Sequence, residues 1–252
     1  MRPSEAGRFG AIAIALLLGL SQIRCAAHSD ALVVLAAASL TESFDDLAAR
    51  FSSTEGVPVI CSYAGSQVLA TQVSSGVGAD LIATADRASL GDLLDTGRIE
   101  TPVTFARNRL VWILRRDLHG PPIGSDSDVR RLVLAAPEVP VGRYARAALQ
   151  RLGQLDPAEA ENVSLEADVK GVVSKVLFGV ADAGLVYATD VTPAIAERVR
   201  VVELPGDAQV KVAYQIAVVA GSRHAARARR FVRWLQSPAA RTLLERHGFR
   251  SP

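Results

Sequence analysis

From residue 31 to the C-terminus, short apolar runs alternate with segments whose apolar residues recur at helical spacing, and few folds satisfy that alternation. Residues 31–37 form a near-continuous apolar run, as in a strand covered on both faces. Leu40, Phe44, Leu47, Ala48 and Phe51 then fall on one helical stripe. Residues 57–63 read as the next strand, and Leu69 and Val73 mark a short helix ending near Gly76. A strand at 80–83 precedes a helix carrying Leu90, Leu93 and Leu94. Further strands are expected at 110–114, 132–135, 183–187 and 210–220, with helices around 145–152 and 169–178. The tail reads as two helices, 225–236 and a second restarted by Ser237-Pro238 and closed by Gly248. The pattern implies an α/β protein with mostly parallel sheets.

The N-terminal stretch has a different character. Arg2 and Arg8 lead into a 12-residue apolar run at 9–20, shorter than the roughly 20 residues a bilayer demands and suited to a signal-peptide core. Residues 1–27 are therefore expected to be a signal peptide, cut after Ala27, that exports the body to the periplasm. Cys25 is an alternative lipid-anchor position, although Arg24 before it suits that processing poorly. The whole chain has 28 basic and 26 acidic residues. Without Arg2, Arg8, Arg24 and Glu5 the two classes number 25 each, so the body is neutral. A neutral body lacks the concentrated cation excess that phosphate-backbone binding requires, which excludes nucleic acid as main partner. Cys25 and Cys61 are too few for a disulfide scaffold or a zinc ribbon. The arginines of the tail (Arg223, Arg227, Arg229, Arg230, Arg233) read as a solvated helix face.

Catalytic constellations are missing: no nucleophile elbow, no phosphate-binding glycine loop and no paired-histidine metal motif occur. His28, His119, His224 and His247 are scattered in polar contexts and read as surface residues. Asp45 and Asp46 are adjacent, and adjacent helical residues do not face one another. The chain is thus expected not to be an enzyme and to carry neither a cofactor nor a directly bound metal.

What recurs is an apolar strand, a small or hydroxylated residue, then a helix start. It appears at Ala38-Ser39-Leu40, at Gly65-Ser66-Gln67, at Val139-Pro140-Val141 and at Asp168-Val169. Helix N-termini leave N–H groups unpaired and carry partial positive charge, so each is a candidate anion site. In open α/β sheets such termini converge at the carboxyl ends of the strands. Asp168 is also an N-cap candidate, and its carboxylate would repel an anion if it faced the site.

The stretch Ala36-Ala37-Ala38-Ser39-Leu40 resembles the first motif of the periplasmic molybdate-binding proteins, the solute receptors of molybdate ABC transporters. Tyr63-Ala64-Gly65-Ser66, Gly78-Ala79-Asp80-Leu81 with Ala85-Asp86, Val139-Pro140-Val141-Gly142, Asp168-Val169, Gly184-Leu185-Val186-Tyr187 and Gly248-Phe249 follow in the family's order. The resemblance spans about residues 31 to 250 and implies a two-lobed periplasmic-binding-protein fold of type II. Two crossover strands would join the lobes, with the ligand in the cleft between them. Lobe one would comprise 31–109 plus 216–252, and lobe two 110–215. The ligand implied is molybdate, with tungstate beside it, bound with high affinity outside the inner membrane and passed to an ABC importer's permease by a monomer. By position, the resemblance implies that Ser39 and Ser66 give hydroxyl and N–H bonds, Val141 and Val169 backbone N–H bonds, and Tyr187 its hydroxyl. Gln67 departs from the small residue usual after the second serine. The alternative ligand is another tetrahedral oxyanion such as sulfate or phosphate. Hydrogen phosphate carries a proton and calls for an acceptor, for which Asp168 is the candidate.

Overall fold

The computed structural model describes residues 30–124, 126–154 and 163–252. The expected signal peptide, its cut after Ala27 and the alternative anchor at Cys25 lie outside the described residues. Two five-stranded sheets organise the chain. The first contains β1 (Leu32–Ala37), β2 (Val59–Ala64), β3 (Leu81–Thr84), β4 (Val103–Asn108) and β10 (Val212–Val218), in the order β2-β1-β3-β10-β4. The second contains β5 (Leu110–Arg115), β6 (Leu132–Ala135), β7 (Val163–Glu166), β8 (Ala183–Tyr187) and β9 (Val199–Glu203), in the order β7-β6-β8-β5-β9. Each sheet defines a lobe, and the order is the same in both once the strand adjoining the crossover is placed fourth.

The expectation of mostly parallel sheets needs correction. β1 pairs in parallel with β2 and β3, as β6 does with β7 and β8. β10 and β5, however, are antiparallel to both their neighbours. These two strands enter their sheets straight from the other lobe, so no helical crossover sets their direction. β4 and β9, too polar in alternation to stand out in the sequence, are their antiparallel partners. The chain crosses at Arg109 and returns between Leu204 and Lys211, so all of β10 lies in the first sheet, ahead of the boundary expected at 216.

Around lobe one pack α1 (Thr41–Glu55), α2 (Ser66–Ser74), α3 (Gly91–Asp95), α7 (Ala225–Leu235) and α8 (Pro238–Arg246). Lobe two carries α4 (Pro140–Arg151), α5 (Val169–Leu177) and the short α6 (Pro193–Ala196). The apolar stripe of α1 buries Phe44, Leu47 and Phe51 completely, where Phe51 meets Phe231 edge-on at 4.9 Å. Cys61 is a half-buried free thiol packed on this core. Among the described residues no helix is long and apolar enough to cross a membrane.

The two crossings are tied together. The Gln209 side chain donates to Leu110 O at 2.8 Å and accepts from Leu110 N at 3.2 Å, while Arg109 Nη1 donates to Glu203 at 2.7 Å. Polar contacts also span the cleft. Gln67 Nε2 donates to Ala167 O at 2.8 Å, and Arg143 Nε to Asp86 at 3.0 Å. Lys170 Nζ donates to Glu42 at 2.9 Å, and Tyr144 Oη to Ala85 O at 3.3 Å. The lobes are closed on one another.

Candidate functional site

The first anion-binding candidate is the turn after β1. Two alanines, Ala36 and Ala37, end the strand and Ala38 opens the 3-10 turn Ala38–Leu40, within which Ser39 is buried. Ser66 opens α2 directly after Gly65, and Ser66 is buried as well. In lobe two, Pro140 at the first position of α4 supplies the helical φ without a wasted donor. The first helical bond is Arg143 N to Val139 O, so the N–H groups of Val141 and Gly142 precede the helix's own ladder. A Cβ on Gly142 would fall 2.1 Å from Ala136 O and 2.5 Å from Ala135 O; glycine alone permits this helix start to sit on the end of β6. Asp168 caps α5, its Oδ1 accepting from Gly171 N at 3.0 Å. One of its two carboxylate oxygens is thereby committed to the cap.

All five expected residues, Ser39, Ser66, Val141, Val169 and Tyr187, line one cavity between the lobes, with Gly65, Ala85, Pro140 and Asp168 also on its wall. The cavity is ≈ 20 Å³, far below the roughly 300–1,000 Å³ that drug-sized ligands occupy. It is on the scale of one small ion. Two larger hollows, of ≈ 490 Å³ beside Asp80 and His224 and of ≈ 520 Å³ beside Arg109 and Gln209, share none of these residues, and a third, of ≈ 230 Å³ beside Glu42 and His247, shares Ser39 alone. The small cavity is nonetheless the better candidate because it alone of these hollows gathers all five expected residues, and the hydroxyls among them have hydrogens left to give.

The hydroxyls are polarised in one sense. Ser39 Oγ accepts from Tyr214 Oη at 2.9 Å, and Ser66 Oγ accepts from Ala85 N at 3.2 Å. An oxygen already accepting has its own proton left to give. Tyr187 is 1% exposed, and its Oη has no hydrogen-bond partner among the described residues. Burial pushes the Tyr187 phenol far above its ordinary value, so it remains a donor. Among the described residues no cluster of three metal-ligating side chains exists. His224 and His247 are half-buried beside Asp80 and Asp46, at 3.4 and 2.7 Å, and His119 is exposed.

Beneath Tyr187 lies Asp190, which is fully buried; its Oδ2 accepts from Tyr187 N at 3.3 Å and its Oδ1 lies 3.6 Å from Lys170 Nζ. Burial pushes its carboxyl up to about 7 from 3.8, against the pull of Lys170. Between those values the folded protein holds a proton that the unfolded chain has released, so stability falls as pH rises through the window. Asp190→Asn is expected to remove that slope: its thermal midpoint should gain on the parent's as pH climbs from 3.8 towards 7 and run parallel above. Parallel profiles across the whole range would refute the assignment.

Sequence reasoning missed Tyr214, Asn108 and the cross-cleft role of Gln67. Tyr214 is one aromatic in an apolar run, and its partner Ser39 lies 175 positions away, so no local signal links the two.

A family model described as bacterial extracellular solute-binding protein matches residues 32–250. The molybdate-binding protein ModA of Escherichia coli K12 is 34% identical over 229 residues, covering 86% of this chain and 88% of its own length. The Mycobacterium bovis protein of the same name is 36% identical over 229 residues, covering 88% and 85%. Among solved structures, the periplasmic molybdate-binding protein of Azotobacter vinelandii superposes with a TM-score of 0.79 at 22% identity, covering 88% of this chain and 99% of that one.

Proposed function

The chain belongs to the bacterial extracellular solute-binding proteins, and from that premise we propose that its cleft captures molybdate, and tungstate with it, in the periplasm for delivery to the permease of an ABC importer. The observation that carries this reading is the Tyr187 hydroxyl, buried without a partner among the described residues at a wall where two serines, each already accepting one hydrogen bond, still have a proton to give. A fully ionised tetrahedral dianion accepts hydrogen bonds and donates none, so a cavity of donors suits it. Ser39 and Ser66 belong to lobe one; Val141, Val169 and Tyr187 belong to lobe two. A ligand bridging them favours the closed state through contacts that neither lobe supplies alone. The helix N-termini add partial positive charge, so the site dispenses with a lysine or arginine. It acts as a monomeric receptor without chemistry of its own.

Sulfate is the second reading, since it has the same charge and differs in size. Hydrogen phosphate would need an acceptor for its proton, and the carboxylate on the cavity wall, Asp168, already has Oδ1 committed to the helix cap. A thermal titration with molybdate, tungstate, sulfate and phosphate separates these readings. A ligand present at about 100 times its Kd adds about 2.7 kcal/mol, which moves the midpoint of a chain this size by roughly 5–11 °C. Shifts with molybdate and tungstate but not with sulfate or phosphate are the expected result. A shift with sulfate alone would keep the receptor and replace its ligand.

A further inference from the structure

We propose that Tyr214 is the positioning residue that fixes the proton polarity of the oxyanion site, holding Ser39 as a donor and thereby discriminating against oxyanions that still carry a proton. The inference rests on the reading of Ser39 as a ligand-binding residue. Tyr214 is fully buried in β10, in lobe one, where its ring stands 5.7 Å from that of Tyr187 across the lobe boundary and 5.2 Å, edge-on, from Phe249. Its hydroxyl donates to Ser39 Oγ at 2.9 Å.

A hydroxyl pair of this kind is reversible in principle; what makes it directional is the residue behind it. Asn108, the last residue of β4, accepts from Arg109 N on its Oδ1 at 2.9 Å. A backbone N–H cannot exchange roles, so the amide NH₂ of Asn108 must face the other way. There it donates to Thr189 Oγ1 at 2.8 Å and, more weakly, to Tyr214 Oη at 3.4 Å. The Tyr214 oxygen therefore accepts from Asn108 and gives its single proton to Ser39. The Ser39 proton is in turn released to the cavity. The relay starts at a main-chain donor in the crossover and ends at the ligand. Ser66 reaches the same state in one step, through Ala85 N.

For Ser39 to accept from a protonated oxyanion, its own proton would need another acceptor, and Tyr214 Oη faces it as a donor. Reversing the relay would strand the Tyr214 proton against the Asn108 amide. Dianions without a proton, such as molybdate, meet no such obstacle in any orientation, whereas hydrogen phosphate meets it whenever its P–OH faces Ser39.

The test is a double-mutant cycle read by calorimetric titration of the purified protein with molybdate and with inorganic phosphate. Tyr214→Phe keeps the ring and its packing and removes the donor. It is expected to weaken molybdate binding by about 10-fold, as one misdirected hydrogen bond should. In a Ser39→Ala background the same change should cost nothing, because the group it orients is gone. The ratio of phosphate to molybdate Kd should narrow by about 10-fold in Tyr214→Phe. Asn108→Ala, which releases the relay one step further back and leaves every ring in place, should show a smaller loss with the same dependence on Ser39. Equal losses in both backgrounds, no loss in the parent background, or an unaltered phosphate-to-molybdate ratio would each overturn the proposal. Unchanged affinity in Ser39→Ala alone would overturn the underlying site reading as well, and is seen separately from the comparison of the Tyr214 variants.

Discussion

Tyr187→Phe is expected to weaken molybdate binding by about 5- to 100-fold, without lowering the thermal midpoint of the unliganded protein. The two halves of that result come from one atom. Tyr187 Oη is buried and has no hydrogen-bond partner among the described residues, and an unmet buried hydroxyl costs about 1–3 kcal/mol. Phenylalanine keeps the ring against Tyr144 and Tyr214, at 6.4 and 5.7 Å, and removes the unmet group. An oxyanion would be the hydroxyl's acceptor, so the loss appears only when ligand is present. Measuring the midpoint with and without molybdate reads both halves. A variant that binds as the parent does removes Tyr187 from the site; one that is destabilised without ligand shows that the hydroxyl works inside the fold.

Gly65→Ala is expected to bind molybdate about 5- to 150-fold more weakly while folding as well as the parent. The backbone at Gly65, φ −59° and ψ 140°, is open to any residue, so the glycine is not there for its conformational freedom. A Cβ at this position would lie 2.7 Å from Ala167 O and against the amide of Gln67. Gln67 belongs to the same helix and can turn aside. Ala167 O is main chain on the opposite lobe. The added methyl group therefore clashes only when the lobes close, and such overpacking costs about 1–3 kcal/mol. Titration together with an unliganded melt makes the distinction: unchanged affinity would mean that the lobes do not meet here in the bound form, and a depressed unliganded midpoint would place the clash within lobe one.

The residues at the cavity were legible in the sequence to the degree that their signals are local. Ser66 after a strand and glycine, Pro140 at a helix start and Asp168 as a cap each announce a helix N-terminus through chemistry confined to a few neighbours. The alternation of strands and helices likewise fixed the class of fold. What could not be read locally was strand direction. β5 and β10 have the same apolar run as β1, yet run antiparallel to their neighbours because they arrive from the other lobe. β4 and β9 leave no strand signal for a related reason: they are edge strands, with residues such as Thr104, Arg107, Arg200 and Glu203 interrupting the apolar pattern. Gln67 stood out as a departure from the family pattern. Its partner, a main-chain oxygen 100 positions on, leaves no trace in residue identity.

The position of β10 also bears on the order in which the chain can acquire structure as it emerges. β10 lies between β3 and β4 in the first sheet, yet it follows the whole of the second sheet in the chain. Until it arrives, β4 has no neighbour to pair with and β3 has one open edge. The second sheet needs nothing beyond residue 203, and its contacts are the more local. Lobe two is thus able to form first, while lobe one waits for its longest-range pairing, the kind that is slow to close. A central strand placed so near the end of the chain is a built-in delay: the half that holds both described termini stays open until β10, Val212–Val218 of 252 residues, has been made.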